Sequence, residues 1–292
     1  MDKKKKAVFV INPISGGADK APIVEQIKQE LSADILPEFL FWDFPKQQEE
    51  IKKHIREKDF DIAVAVGGDG TINLVAQAVV NSPKALAILP VGSGNGLARH
   101  LKIPLKIKKA IEVLNAGKES MIDSCMVNDV FFFSTSGMGF DAYIGKLFAE
   151  SKSRGFFTYI KLTLAQFIKY QPQHYTLLIG DRKIEREAFL ITFANASQYG
   201  NNAYIAPQAD IADGLMDVCI LKPFRVWNTL SIGMKMFNKQ LNHSSFMETF
   251  RAANVKVTRQ SAGPVHYDGE PFELGENLHM KVLPASVKII IP

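Results

Sequence analysis

The stretch Val64-Ala65-Val66-Gly67-Gly68-Asp69-Gly70-Thr71-Ile72-Asn73 decides the fold. The apolar, β-branched run Ile62 to Val66 has the length of a buried strand. It stops at two glycines, an aspartate, a third glycine and a threonine. Ile72, Leu74, Val75, Ala76, Val79 and Val80 then recur at helical spacing. The stretch predicts strand, tight glycine loop, helix. Glycines let a backbone approach a ligand closely without a Cβ clash. A loop opening onto a helix N-terminus presents N–H groups and the positive end of a dipole, which favour an anion such as phosphate. Asp69 conflicts with that reading, because a carboxylate repels phosphates unless a cation or a transferable proton lies between. The plainer reading is a tight turn with Asp69 as a helix cap.

Working outward, the same unit recurs. Ala7 to Ile11 reads as a short buried strand, Asn12-Pro13-Ile14-Ser15-Gly16-Gly17 as its loop, and Pro22 to Leu31 as a helix. Ile35 to Phe41 is a further strand, and Gln47 to Lys58 a polar helix with Ile51 and Ile55 on one face. Ala85 to Leu89 is a fourth strand, ending in Pro90-Val91-Gly92-Ser93-Gly94-Asn95-Gly96. Lys106 to Asn115 is a helix closed by Gly117. Strands alternating with helices predict a parallel sheet covered on both faces. Ligands of such sheets bind beyond the carboxyl ends of the strands, so the three glycine-bearing loops can converge on one site. None is a Walker A loop or a GxGxxG dinucleotide fingerprint.

At 292 residues the chain is long for one core, and two domains are expected. After about Ile122 the texture changes to short apolar or alternating segments: Met126 to Ser134, Tyr175 to Ile179, Ala188 to Ala194, Leu215 to Leu221, Val255 to Val257, His279 to Leu283 and Val287 to Ile291. This half predicts a β-rich sandwich or barrel. Two helices interrupt it. Phe156 to Tyr170 carries Phe156, Ile160, Leu164, Phe167 and Ile168 on one face, and Arg225 to Gln240 carries Trp227, Leu230, Met234 and Phe237. Both faces suit a core. Basic residues beside Trp and Phe in the second helix also suit a membrane interface.

Hydrophobic content of 47% with 22% charged residues describes a packed protein rather than a disordered one. The net charge of +5 is compatible with anionic substrates, an anionic membrane surface or nucleic acid, and for nucleic acid it is the only support. Cys125 and Cys219 each sit in an apolar stretch, as buried free thiols do. No run reaches the roughly 18–20 apolar residues of a spanning helix. Ala7 to Ile11 is too short for a secretory signal core, so the cytoplasm is the expected compartment.

Two acidic motifs remain. Asp268-Gly269-Glu270-Pro271 carries the commonest hairpin-turn dipeptide. Ala209 to Asp217 sets Asp210, Asp213 and Asp217 at spacings that could clamp a hard cation or simply form a solvated turn. His174 and His266 have no partner at ligand spacing and are assigned no role.

The ordered set of these motifs resembles a known family. Gly67-Gly68-Asp69-Gly70-Thr71 followed by Gly92-Ser93-Gly94-Asn95 is similar to the catalytic domain shared by diacylglycerol kinases, sphingosine kinases and their bacterial lipid-kinase relatives. The likeness continues through Asn12-Pro13 with Ser15-Gly16-Gly17, Gly137-Met138-Gly139-Phe140-Asp141-Ala142, Ala206-Pro207 with Asp213-Gly214, and Asp268-Gly269-Glu270. It implies an N-terminal Rossmann-like nucleotide-binding domain over 1–123, of the NAD kinase and diacylglycerol kinase type. A β-rich sandwich domain over 124–292 would hold the lipid substrate, with the active site in the cleft between them. It further implies that ATP meets Asn12, Gly67, Gly68, Asp69, Gly70, Thr71, Gly92, Ser93, Gly94 and Asn95. Glu270 would be the proton acceptor, and Asp69 would organise magnesium at the phosphates. Asp123 would join that acidic network, and a structural magnesium would lie at Asp213 with the main-chain carbonyls of Asp210 and Leu215. Gly96 and Trp42 depart from the bacterial pattern, which commonly has an aspartate and an ATP-contacting threonine there. Trp42 could stack on adenine.

The expected protein is therefore a peripheral lipid kinase using ATP and Mg2+, phosphorylating diacylglycerol or a sphingoid base in phospholipid metabolism at an anionic membrane surface. A kinase of a soluble alcohol, like the related NAD kinases, and a nucleotide-binding regulator without turnover are the alternatives. Monomer and homodimer both remain open.

Overall fold

In the computed structural model, residues 4–13, 21–42, 47–151 and 156–292 are described. Ser15, Gly16 and Gly17 of the first expected loop lie outside them. The chain divides into two units, the first Met1–Ile122 with Ala285–Pro292 and the second Asp123–Pro284.

The first unit alternates strand and helix as expected. Strand β1 (Lys5–Ile11) leads to α1 (Ala21–Glu30), β2 (Ile35–Phe41) to α2 (Gln48–Glu57), and β3 (Ile62–Gly67) to α3 (Asp69–Val79). Strand β4 (Ala85–Pro90), α4 (Gly96–His100), α5 (Ile107–Ala116) and the start of β5 (Glu119–Val127) complete it. Order β2-β1-β3-β4 is parallel throughout. Every residue of β3 and β4 is buried, which is why these strands are continuous apolar runs rather than alternating ones. Helix α5 stops at Gly117, whose N–H makes the last bond to the Val113 carbonyl and whose φ of 64° turns the chain out of the helix.

The second unit holds β6 (Val130–Phe132), β7 (Thr135–Gly139), α6 (Phe140–Glu150), α7 (Phe156–Phe167), β8 (Gln173–Ile179), β9 (Arg182–Ala188) and β10 (Leu190–Ala194). It continues with β11 (Met216–Leu221), α8 (Thr229–Phe237), β12 (Met247–Ala252), β13 (Asn254–Arg259), β14 (Gly263–Tyr267), β15 (Glu270–Leu274) and β16 (Asn277–Ile290). One antiparallel sheet runs β12-β11-β10-β7-β14-β15. The first part of β16 pairs with β13, which pairs with β8, which pairs with β9. Met138, Ile191, Phe193, Val218 and Val265 of the first sheet share a core with Leu177, Val255, Val257, Leu278 and Met280 of the second. This is the expected sandwich.

Four expectations change. Met126 to Ser134 is a hairpin of β5 and β6 rather than one strand, because the chain turns at Asn128 with a φ of 50°. The two last expected strands are one, β16, which runs on past Pro284. Its end pairs parallel to β4, Lys288 with Ala85 and Ile289 with Leu86, so Ala285–Pro292 return to the first unit instead of staying with 124–292. The apolar faces of the two interrupting helices are also not fully buried: Leu164, Ile168, Trp227, Leu230, Met234 and Phe237 are exposed. Both cysteines are buried and unpaired with each other. Burial raises both thiols, Cys125 well above the ordinary range and Cys219 to about 12.

Candidate functional site

In the strand order β2-β1-β3-β4, the chain leaves β1 toward one side and returns at β3 on the other. The carboxyl ends of β1 and β3 therefore flank the point where connections diverge, the place where open parallel sheets bind ligands. Ile11 lies opposite Val66 and Gly67 opposite Pro90, so Asn12 and the two following glycine loops leave one edge together.

The central loop is tighter than expected. Helix α3 begins at Asp69 with Gly68 as its N-cap, so Gly70 and Thr71 already belong to its first turn. Gly67 has no room for a side chain, since a Cβ there would stand 2.3 Å from Thr71 Oγ1. A Cβ on Gly92 would stand 2.4 Å from the Gly68 Cα. Backbone thus packs on backbone where the two loops meet.

Asp69 ties them together. Its Oδ2 accepts the Asn95 N–H at 2.9 Å and its Oδ1 accepts the Gly96 N–H at 2.7 Å. The carboxylate caps α4 from a distance and neutralises backbone donors that a sharp loop would leave unmet. The Asn95 side chain closes the same loop on itself, accepting from Gly92 N–H at 3.1 Å and donating to Gly92 O at 2.7 Å. Asn95 holds a φ of 52°, a left-handed conformation that asparagine tolerates better than most residues. Arg99 Nε donates to Gly94 O at 3.0 Å from below. Thr71 and Asn95 are buried, so their side chains shape the loops from inside, whereas Gly68, Asp69, Gly70, Gly92 and Gly94 remain partly open and Ser93 is exposed at the tip. Trp42 is 2% exposed and offers no face for a base to stack on.

In the second unit, Asp268 and Gly269 have φ of 46° and 89° and join Tyr267 to Glu270 in a two-residue hairpin. Asp268 is fastened by three backbone donors: Phe133 N–H to Oδ2 at 2.9 Å, and Ser134 and Thr135 N–H to Oδ1 at 2.7 and 3.0 Å. Its own N–H donates to Thr135 O at 2.8 Å. Glu270, the first residue of β15, is thereby set in place half-buried.

The acidic residues proposed for a structural magnesium each accept a nearby backbone N–H. Asp123 is buried and accepts Gly214 N–H at 2.7 Å. Asp210 accepts Ala212 N–H at 3.0 Å, and Asp213 accepts Leu215 N–H at 3.0 Å. The remaining Asp213 oxygen meets the Arg251 guanidinium. Among the described residues no group of three His, Cys, Asp or Glu side chains could hold a metal. An arginine thus supplies positive charge at Asp213.

Residues 6–127 match the diacylglycerol kinase catalytic domain, and residues 134–291 match the YegS C-terminal NAD kinase beta sandwich-like domain. The chain belongs to the YegS-like lipid kinase family. A Pseudomonas aeruginosa protein named "Probable lipid kinase YegS-like" is 31% identical over 234 residues, covering 78% of this chain and 76% of its own. A Pectobacterium atrosepticum protein of the same name is 24% identical across 100% of this chain and 98% of its own. The crystal structure of a diacylglycerol kinase from Bacillus anthracis superposes with a TM-score of 0.72 at 16% identity, covering 100% of this chain and 98% of that one. An Archaeoglobus fulgidus NAD kinase in complex with ATP gives 0.52 at 14% identity, covering 98% and 93%. Family membership makes the chain a member of the ATP-dependent kinases related to diacylglycerol and NAD kinases.

Within this kinase fold one cluster escaped the sequence reading. The buried Asp141 carboxylate receives Thr192 Oγ1 at 3.2 Å, Tyr199 OH at 3.1 Å and His266 Nε2 at 3.1 Å. A Cβ on Gly137 would strike both Asp141 and His266, at 2.5 and 2.6 Å. The signal was the Gly-Met-Gly-Phe-Asp motif itself, whose first glycine makes the room. His266, 125 positions from its partner, left no local trace.

Proposed function

We propose that the chain transfers the γ-phosphate of magnesium-bound ATP to the hydroxyl of a lipid, a diacylglycerol or a sphingoid base, as a peripheral protein on the cytoplasmic face of a membrane. The observation that carries this is the junction of two glycine loops, tied by Asp69 at the carboxyl edge where β1 and β3 diverge. Backbone of Gly68, Gly70, Ser93 and Gly94 offers N–H donors to a polyphosphate, while Asn12, Gly67 and Gly92, whose backbone is held by the strands and by Asn95, line the same edge and Thr71 and Asn95 fix the loop shapes from inside. Asp69 acts first as a positioning residue for that cradle. Magnesium carried in with the nucleotide neutralises phosphate charge.

An alcohol is a poor nucleophile at neutral pH, so a carboxylate must accept its proton during attack. Glu270 is assigned that role, and Asp268 positions it through the clamp on residues 133–135. The lipid acceptor rests on the company the chain keeps: the YegS-like relatives and the Bacillus anthracis structure are named for lipid kinases.

Labelled ATP with magnesium and a panel of dispersed lipids tests the assignment. Wild type yields labelled lipid. Glu270→Gln binds ATP and unfolds at the same temperature, and its turnover falls about a thousandfold. Wild-type turnover in that variant overturns the role of Glu270. A labelled soluble product points to a soluble alcohol as acceptor, and ATP binding without transfer to any acceptor points to a regulator.

A further inference from the structure

Helix α8 and the turn before it break the ordinary rule for a surface helix, which hides its apolar face and shows its polar one. Its inner side is conventional: Ile232 is buried, and Met236 packs against the cluster of Phe140, Leu190, Cys219 and Leu221. The outer side is apolar as well. Val226, Trp227, Leu230, Met234 and Phe237 are 54, 68, 73, 53 and 49% exposed. Trp227, Leu230, Met234 and Phe237 are spaced by three, four and three residues, which places them on one face. The neighbouring helix extends the surface. Phe167 at the end of α7 packs against Phe224 with ring centroids 5.2 Å apart, and Leu164 and Ile168 beside it are 59 and 77% exposed. Contiguous exposed apolar side chains of this size mark an interaction surface.

Charge selects the partner. Residues 218–247 contain no aspartate or glutamate; Lys222 pairs with Glu248, and Arg225, Lys235 and Lys239 carry the remaining lysine and arginine charge. Residues 151–180, which include α7, are likewise free of acidic residues and carry Lys152, Arg154, Lys161 and Lys169. Arg225 lies over the Trp227 ring at 5.3 Å, so a cation and an amphipathic aromatic share one corner of the patch. Long basic stems that cover apolar surface while their heads stay in water, with tryptophan between, match the boundary of an anionic bilayer. No helix among the described residues is long and apolar enough to cross a membrane, so the contact is a face laid on the surface.

We infer that the outer face of residues 225–237 docks on an anionic lipid bilayer, inserting Trp227, Leu230, Met234 and Phe237 among the acyl chains while Arg225 and Lys239 meet headgroups. This deepens the lipid-kinase reading, on which it rests for its purpose, by naming the surface from which the acceptor is taken.

The test uses the full chain without nucleotide. Sedimentation with phosphatidylcholine vesicles is compared with vesicles that also contain phosphatidylglycerol. Binding is expected to the mixed vesicles and to fall as salt rises. The double variant Trp227→Gln, Leu230→Gln lowers the partition coefficient about a hundredfold. Arg225→Gln with Lys239→Gln lowers it about tenfold and erases the preference for the anionic lipid. These side chains are exposed, so unfolding temperatures stay at the wild-type value. Brominated lipid quenches emission from Trp227, while Trp42 is buried and stays unquenched. Vesicle binding unchanged in the apolar variant, no vesicle binding by wild type, or a self-associated chain that the variant converts to monomer would each overturn the proposal. Turnover on lipid in detergent micelles is measured in parallel. A wild type that turns over micellar lipid but binds no vesicles defeats the docking surface and leaves the kinase, whereas wild-type vesicle binding that the apolar variant loses, without turnover of any lipid, does the reverse.

Discussion

Asp69 in the first unit and Asp268 in the second occupy similar sequence contexts, each beside glycine where a strand ends, and their carboxylates work over different ranges. Asp69 heads a helix and reaches 26 and 27 residues forward to the N–H groups that open α4. Asp268 sits at the tip of a hairpin and reaches back 133 to 135 residues to three consecutive N–H groups. The first aspartate joins two loops of one cradle, each carried by its own strand. The second clamps a turn to a separate part of its sheet and also donates its own N–H to Thr135 O. The comparison shows what an acidic residue in a glycine-rich motif does before any chemistry. Irregular backbone leaves donors that must be met, and a carboxylate with two oxygens meets two or three of them.

The sharpest way to break this comparison is to remove both carboxylates in turn. Asp268→Ala strands three backbone donors and is expected to lose about 4 kcal/mol, whereas Asp69→Ala strands two and loses about 2–3 kcal/mol. Denaturant unfolding of the full chain reads both. The kinetic effects should separate as well: Asp268→Asn lowers kcat and spares KM for ATP, because Glu270 shifts, while Asp69→Asn raises KM for ATP, because the cradle loosens. A larger stability loss at Asp69, or the same kinetic pattern in both variants, would remove the distinction.

Much of the first unit was legible because its strands are buried on both faces and appear as uninterrupted apolar runs with glycine at their ends. β2 begins and ends where it was expected, and β3 and β4 each extend one residue further. The acidic cap on α4 was not legible, since nothing local to Asp69 shows that Asn95 and Gly96 are its donors. The same holds for Asp141 with His266 and for Asp213 with Arg251, pairs made by sheet register rather than by spacing along the chain. The return of Ala285–Pro292 to the first unit was hidden for another reason. Val287 to Ile291 is apolar and β-prone, and such a segment fits either sheet until pairing with β4 decides. For the helices over 156–170 and 225–240, periodicity suits a core, and for the second a membrane interface as well, because it reports that a face is apolar and not what covers it.

Asp217 sharpens the comparison as an aspartate whose charge burial opposes. It lies on β11, 6% exposed, and desolvation raises its carboxyl to about 6 from the ordinary 3.8. A carboxyl raised on folding binds its proton more tightly in the folded state. Its protonated form therefore favours folding, and that advantage is lost as pH climbs from about 4 through about 6. Asp217→Asn removes the titration. The stability of the variant relative to wild type should rise across that window and level off on the order of 3 kcal/mol above wild type by neutral pH. Unfolding temperatures of both proteins measured over the pH series decide it. A difference that does not change with pH would mean that the folded carboxyl titrates normally.

Asp213 completes the series as an aspartate held by both a backbone donor and a side-chain cation, the Arg251 guanidinium. Arg251 is 49% and Asp213 24% exposed in their side chains, so solvent screens the pair and its contribution is about 1 kcal/mol or less. The consequence for metal dependence is more informative than the stability change. With the guanidinium in place, chelation of divalent cations should leave the unfolding temperature of wild type unchanged. Arg251→Ala frees the Asp213 carboxylate, an oxygen ligand of the kind hard cations take, which the family resemblance groups with the main-chain carbonyls of Asp210 and Leu215. The variant should be slightly less stable without metal and regain part of that loss with added magnesium. If chelation destabilises wild type, or magnesium leaves the variant unmoved, then arginine does not stand in for a cation at this loop, and Asp213 differs from Asp69 only in the identity of its donors.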